Sequence, residues 1–179
     1  MNSIIKKVLF TEEQLDSIIT GLANQINRDY NGKDLILVAL LKGSIVFLAD
    51  LMRKITIPCR IDFMSVSSYT NGATKSTGRV KINFDVTQSV ENSDVLIVED
   101  IIDSGHTLDY MLRYFQVKKA NSVKICTLLN KPSRREVNIP VDYIGIEIED
   151  EFVLGYGLDY IEYYRNLPYI GVIKPEAIN

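Results

Sequence analysis

Soft metal ligands are scarce in this chain: its 179 residues hold two cysteines and one histidine. Cys59 and Cys126 lie in apolar, strand-like stretches without further ligands around them, which predicts two buried free thiols rather than a disulfide or a zinc site. Long apolar runs are missing too. No stretch approaches the roughly 20 residues that span a bilayer. The opening Met1-Asn2-Ser3-Ile4-Ile5-Lys6-Lys7 lacks the continuous apolar core of a signal peptide, so a cytoplasmic protein with no membrane partner is expected. There is no cationic excess: 20 basic side chains stand against 23 acidic ones, with a pI near 5.2. That balance gives nucleic acid no electrostatic footprint and excludes it as an expected partner. No fixed-period repeat or low-complexity linker breaks the chain. At 46% hydrophobic content, it has the size and composition to bury most of one core, and a single domain over residues 1–179 acting on small molecules is expected.

Apolar periodicity sorts the chain into alternating helices and strands. Thr11-Glu12-Glu13-Gln14 is a capping box, after which Leu15, Ile18, Ile19, Leu22, Ala23 and Ile26 recur at helical spacing until Asn31-Gly32. Residues 35–41 are an unbroken apolar run of strand length. Lys42-Gly43-Ser44 follows, and Ile45, Leu48, Ala49 and Met52 then resume the helical period. Residues 59–66 and 80–85 read as strands. Between them, 67–79 holds Ser, Thr, Asn and Gly with hardly an apolar side chain, the composition of a mobile loop such as an active-site lid. Leu108, Met111, Leu112 and Phe115 mark a helix face, and 123–129 and 143–148 two more strands. The alternation predicts an α/β domain with a mostly parallel central sheet flanked by helices, its terminal segments forming a small hood over the site.

The most informative stretch is 95–108, Val-Leu-Ile-Val-Glu-Asp-Ile-Ile-Asp-Ser-Gly-His-Thr-Leu. Four consecutive apolar residues read as a strand buried on both faces, as in a parallel sheet covered by helices. Chemistry in such sheets sits at the carboxyl edge of the strands, where Glu99 and Asp100 fall. Side chains alternate along a strand, so at most one of the two faces inward and the other reaches toward a ligand. Ser104, Gly105 and Thr107 let backbone N–H groups approach an anion, and a helix starting near Thr107 adds its positive end. The loop carries three carboxylates and no lysine, which would repel a bare phosphate. Ribose hydroxyls and Mg²⁺ are therefore expected between them.

This run resembles the phosphoribosyl pyrophosphate motif of the type I phosphoribosyltransferases: a hydrophobic strand, two acids, two apolar residues and an Asp-Ser/Thr-Gly-x-Thr loop. Other elements are less specific by themselves. Lys42-Gly43 reads as a surface turn, Lys131 as a solvated lysine before a proline turn, and Phe152 as a core residue as readily as a stacking platform. Taken together, Leu41-Lys42-Gly43, Ser68-Tyr69, Lys131-Pro132, Phe152-Val153-x-Gly-Tyr-Gly-Leu-Asp159 and Tyr164-Arg165 resemble the 6-oxopurine branch of that family, the hypoxanthine and hypoxanthine-guanine phosphoribosyltransferases. The likeness covers nearly the whole chain.

The resemblance implies a type I phosphoribosyltransferase fold and a role for each matched residue. Asp103, Ser104, Gly105 and Thr107 would hold the 5′-phosphate. Glu99 and Asp100 would address the ribose diol and its metal, and Asp103 would be the general base at purine N7. Lys131 would bind the exocyclic O6, Phe152 would stack on the base, and the Val153 main chain would read the Watson–Crick edge. Asp159 would hold a second Mg²⁺, while Arg165 and the Lys42-Gly43 turn, with a non-proline cis bond before Lys42, would contact pyrophosphate. Ser68-Tyr69 would begin the closing loop. His106 stands where a lysine is common among members; it is placed beside the phosphate and given no catalytic role. The implied partners are a 6-oxopurine base and phosphoribosyl pyrophosphate, and the implied assembly is a homodimer or homotetramer. Lysine offers only donors, so Lys131 would favour a 6-oxo group over a 6-amino group, making adenine a poor substrate. Two other readings stay open: a phosphoribosyl-pyrophosphate-sensing, nucleic-acid-binding regulator on the same fold, and an enzyme that prefers xanthine.

Overall fold

The computed structural model describes residues 4–68 and 80–178. The capping box forms as read: Thr11 Oγ1 accepts from Gln14 N while Gln14 Oε1 accepts from Thr11 N, fixing the start of helix α1 (Glu12–Asp29), which follows strand β1 (Ile5–Phe10). Leu15, Ile19, Leu22, Ala23 and Ile26 of α1 are buried at helical spacing. Strand β2 (Leu35–Leu41) comes next, and its first six residues are buried on both faces of the sheet.

Helix α2 (Ile45–Lys54) corrects the expected inner face. Phe47, Leu48 and Leu51 are buried, whereas Ile45 and Met52 are exposed. Apolar residues lie on both stripes of this short helix, so periodicity alone leaves its rotation open. Packing on α1 and β2 selects the stripe that carries the aromatic ring.

The remaining elements are β3 (Cys59–Ser68), β4 (Val80–Phe84), β5 (Asp94–Ile102), α3 (His106–Val117), β6 (Ser122–Asn130), β7 (Tyr143–Glu147), β8 (Val153–Leu154) and β9 (Ile170–Ile173), with 3₁₀ turns at Pro132–Arg134 and Pro175–Ala177. Six strands form one sheet in the order β4-β3-β2-β5-β6-β7, parallel throughout except for the antiparallel β3–β4 pair. Side-chain alternation divides its core into two layers. Leu35, Leu37, Ala39, Leu96 and Val98 pack with α1 and α2, whereas Ile36, Val38, Leu40, Val95 and Ile97 pack with α3. The parallel strands β2, β5 and β6 end on the same side, so residues 42–43, 99–103 and 131 converge on one edge.

Over that edge sits a separate antiparallel sheet, β1-β9-β8, built from both ends of the chain. This is the expected hood, although its strands were not individually legible. Cys59 and Cys126 are both free, and burial pushes both thiols up from their usual range. Among the described residues, no helix is long and apolar enough to cross a membrane.

Candidate active site

Strand β5 keeps its extended geometry through Glu99 and Asp100 to Ile102, so the two carboxylates leave on opposite faces. Both border cavities: Glu99 lines the one at the loop that follows, and Glu99 and Asp100 both line one shared with Asp159 and Arg165. Burial raises both acids. The Glu99 carboxyl is pushed well above its ordinary range by desolvation and then by the neighbouring Asp100 charge. Desolvation raises Asp100 to about 6 against the bond from Ile101 N–H and the charge of Arg165, while Asp159 adds repulsion.

After Ile102 the chain makes a small-residue turn. Gly105 takes a left-handed φ of 87° as N-cap of α3. A Cβ at Gly105 would lie 3.0 Å from Arg135 Cδ and 3.1 Å from Val137 Cγ2, so a later segment packs tightly beneath this loop. The N–H groups of Glu136 and Val137 both donate to the Ser104 carbonyl, at 3.0 and 3.3 Å. Glu99, Asp103, Ser104, Gly105 and Thr107 help line a cavity of about 120 Å³ at this point. His106 faces away toward the brace, its Nε2 lying 2.8 Å from Glu136 Oε2. It does not line this cavity. The bracing role of 135–137 was not foreseen, because no local pattern announces a contact with a loop thirty residues earlier.

A larger cavity, about 580 Å³, opens between the sheet edge and the hood. Lys131 lies on its wall only 7% exposed, which overturns the solvated-lysine reading. Its N–H donates to the Ile102 carbonyl at 3.0 Å, tying the end of β6 to β5. Its Nζ stands 3.7 Å from Asp103 Oδ1 and 3.6 Å from Asp150 Oδ1. Phe152 is 45% exposed on the same cavity and meets Tyr160 edge-on, centroids 5.7 Å apart, so it is not a core residue. Val153 is buried at the start of β8, paired with Val172. Asp150 and Arg134, linked at 3.8 Å, also line this cavity; Asp150 lies in an irregular segment and Arg134 ends the short 3₁₀ turn, neither of which has a periodicity to read.

The third cavity, about 420 Å³, shares Asp100 and Asp159 with the second and is bordered also by Gly43, Ser67, Thr107 and Arg165. The Leu41–Lys42 peptide is cis, as expected. Gly43 is required by contact: a Cβ there would fall 1.6 Å from Asp100 Oδ2. From the hood, Arg165 places Nη2 2.7 Å from Asp159 Oδ1 and Nη1 2.8 Å from the Gly157 carbonyl. Lys42 is exposed and pairs with Glu162 at 2.6 Å. Ser68 is the last residue of β3, one past the cavity-lining Ser67, whereas Tyr69 and the rest of the expected lid to residue 79 lie outside the described residues.

Glu99, Asp100 and Asp159 do not form a three-carboxylate cage. Among the described residues, no group of three or more metal-binding side chains comes together. Strand alternation separates Glu99 from Asp100, and Asp159 is paired with Arg165. The donor chemistry nevertheless fits Mg²⁺, which is commonly held by one or two carboxylates with the remaining oxygens from substrate and water. Glu99, Asp100 and Asp159 all border one cavity and offer it hard oxygen donors, and a bound cation would favour the charged forms that burial opposes in Glu99 and Asp100.

A parallel sheet with phosphate-sized and base-sized cavities at its carboxyl edge defines a class. Residues 9–161 match the family model of the phosphoribosyl transferase domain, and the chain belongs to that family. Within it, the chain is 52% identical over 177 residues to the hypoxanthine-guanine phosphoribosyltransferase of Staphylococcus aureus, covering 99% of this chain and 98% of that protein. The crystal structure of a hypoxanthine phosphoribosyltransferase from Staphylococcus aureus superposes with a TM-score of 0.96 at 51% identity, covering 100% of this chain and 99% of that one. The chain is also 49% identical to the bifunctional protein TilS/HprT of Listeria monocytogenes, over 98% of this chain and 27% of that larger protein. The fold is that of the type I phosphoribosyltransferases.

Proposed function

We propose that the protein transfers the phosphoribosyl group of 5-phosphoribosyl 1-pyrophosphate to N9 of hypoxanthine, and of guanine, releasing pyrophosphate in a Mg²⁺-dependent step of purine salvage. The observation that carries this reading is Lys131. A nearly buried lysine on the wall of the base-sized cavity, 3.7 Å from Asp103, supplies a donor-only charge where a 6-oxo group would need it.

In this reading the 5′-phosphate sits in the small cavity against Ser104, Gly105 and Thr107, at the N-terminus of α3. Glu99 and Asp100 address the ribose hydroxyls. The purine ring stacks on Phe152, with O6 on Lys131 and its Watson–Crick edge on the Val153 main chain. As the C1′–pyrophosphate bond breaks and the N9–C1′ bond forms, the proton leaves N7 for the Asp103 carboxylate. Arg165 and the Lys42-Gly43 turn hold the departing pyrophosphate. Asp100 and Asp159, with Glu99 nearby, would hold Mg²⁺, which when bound offsets the charge on the leaving group. Ser68 and Tyr69 begin the segment that would exclude water and so protect the activated ribose from hydrolysis. His106 stays with Glu136 as a neighbour of the phosphate loop. The same reading has the chain acting as one domain in the cytoplasm, assembled as a homodimer or homotetramer.

A panel of hypoxanthine, guanine, xanthine and adenine, each with phosphoribosyl pyrophosphate and Mg²⁺, tests the assignment. Hypoxanthine and guanine should turn over and adenine should fail by orders of magnitude, because donor would meet donor at position 6. Preference for xanthine would move the specificity elsewhere, and equal use of adenine would remove Lys131 from base recognition.

A further inference from the structure

The two cations on the pyrophosphate side are already engaged by an acid that the proposed chemistry leaves without a role. Glu162 stands in a tight turn closed by paired bonds between Tyr160 and Tyr163, each N–H donating to the other's carbonyl at 3.1 Å. Three non-glycine residues here take left-handed backbone conformations: Ile161 at φ 52°, Glu162 at 64° and Tyr164 at 75°. Side-chain-bearing residues persist in that region only when their surroundings hold them there. Asp159 does part of that, its Oδ2 accepting from the Glu162 N–H at 2.9 Å. The turn throws the Glu162 side chain back toward the sheet edge. Its Oε2 lies 2.6 Å from Lys42 Nζ and its Oε1 3.5 Å from Arg165 Nη2, the nitrogen that Asp159 Oδ1 also holds, at 2.7 Å. The bond from Lys42 holds the carboxyl below its ordinary range.

One carboxylate thus bridges the lysine and the arginine that would grip pyrophosphate, with the charge sign and oxygen spacing of a phosphate edge. We infer that Glu162 is a built-in competitor for the pyrophosphate end of the substrate, occupying Lys42 and Arg165 in the free protein and displaced when pyrophosphate binds; this rests on the phosphoribosyl-transfer reading. The exposure of the pair makes exchange feasible. The side chains of Lys42 and Glu162 are 68% and 66% exposed, so their bond is a weak, water-accessible one that a multiply charged anion outcompetes. The result is a site that keeps its cations arranged between turnovers while lowering its apparent affinity for the product that must leave. A competitor of this kind taxes binding by the fraction of sites it occupies.

Glu162→Gln keeps the size and removes the charge. Pyrophosphate affinity measured by calorimetry with Mg²⁺ should tighten by roughly three- to tenfold, the worth of one or two exposed ion pairs. The KM for phosphoribosyl pyrophosphate should fall in parallel, while IMP affinity and the KM for hypoxanthine stay unchanged. High salt should erase the difference, since exposed pairs are screened. Glu162→Asp, one methylene too short to bridge both cations, should shift pyrophosphate affinity in the same direction by less. Unchanged or weaker pyrophosphate binding in variants that still bind IMP would overturn the inference and leave the proposed function standing. Wild-type protein that binds neither pyrophosphate nor IMP would sink the proposed function itself, and the inference with it.

Discussion

Lys131 and Asp103 face each other across 3.7 Å and are assigned opposite halves of the base's chemistry, one donating to O6 and one accepting from N7. Their variants should therefore fail in different ways. Lys131→Met keeps the length and removes the charge, so hypoxanthine binding should weaken by the worth of a charged hydrogen bond, about 1.5–3 kcal/mol, with little change toward phosphoribosyl pyrophosphate. Adenine should gain relative to hypoxanthine because the donor–donor conflict is gone. Asp103→Asn keeps the shape and cannot take the proton, so kcat should drop by about 10²–10⁴ while IMP binding holds. Steady-state kinetics and nucleotide titration separate the two, and a base-specific defect in Asp103→Asn with normal kcat would exchange their roles. Asp100 makes a different prediction, in stability. Its carboxyl is raised to about 6 from an ordinary 3.8, so between those values the folded protein keeps a proton that the unfolded chain has released. Stability then falls as pH rises through that window, and the full penalty is present above it. Asp100→Asn should stabilise the ligand-free protein by about 1–2 kcal/mol at pH 8 and by little near pH 4, measured by urea unfolding. An equal effect at both values would mean the carboxyl is not dehydrated.

At the level of elements, local signals were legible wherever the chemistry is local. The capping box of α1 and the apolar runs of β2 and β5 needed only near neighbours in sequence, and they form as read. The rotation of α2 was not legible, because Phe47 and Leu51 compete with Ile45 and Met52 and only tertiary packing decides. Strand β8, two residues long, has no periodicity to read, and the brace at 135–137 exists only through contact with the loop at 104–105. Glycines show the same division. Gly21 lies within α1 with nothing within 4 Å of an added Cβ, whereas Gly43 would drive a Cβ to 1.6 Å from Asp100 Oδ2. Gly21→Ala should stabilise the fold by about 0.5–1 kcal/mol through backbone entropy. Gly43→Ala should displace the turn or the carboxylate, destabilise by about 1–3 kcal/mol and weaken pyrophosphate binding at least about tenfold. Denaturant melts with pyrophosphate titration check both, and a neutral Gly43→Ala would mean the turn has room the close contact denies.

For the molecule as a whole, the arrangement follows from topology. Parallel strands bring the ends of β2, β5 and β6 to one edge, and the sheet built from both chain ends supplies Val153 and, from the loop that follows it, Asp159 and Arg165. The motif at 95–108 made the phosphate side legible. The base cavity was not, since Lys131 reads as an ordinary surface lysine and only the fold buries it beside Asp103 and Asp150. The central claim is that these halves form one Mg²⁺-dependent site for phosphoribosyl transfer. Its most direct test is IMP formation from hypoxanthine and phosphoribosyl pyrophosphate by EDTA-stripped protein, followed by back-titration with Mg²⁺. The account predicts no IMP in metal-free buffer, and with Mg²⁺ restored, IMP and pyrophosphate in equal amounts. Full turnover without the metal, or none with it, would contradict the account.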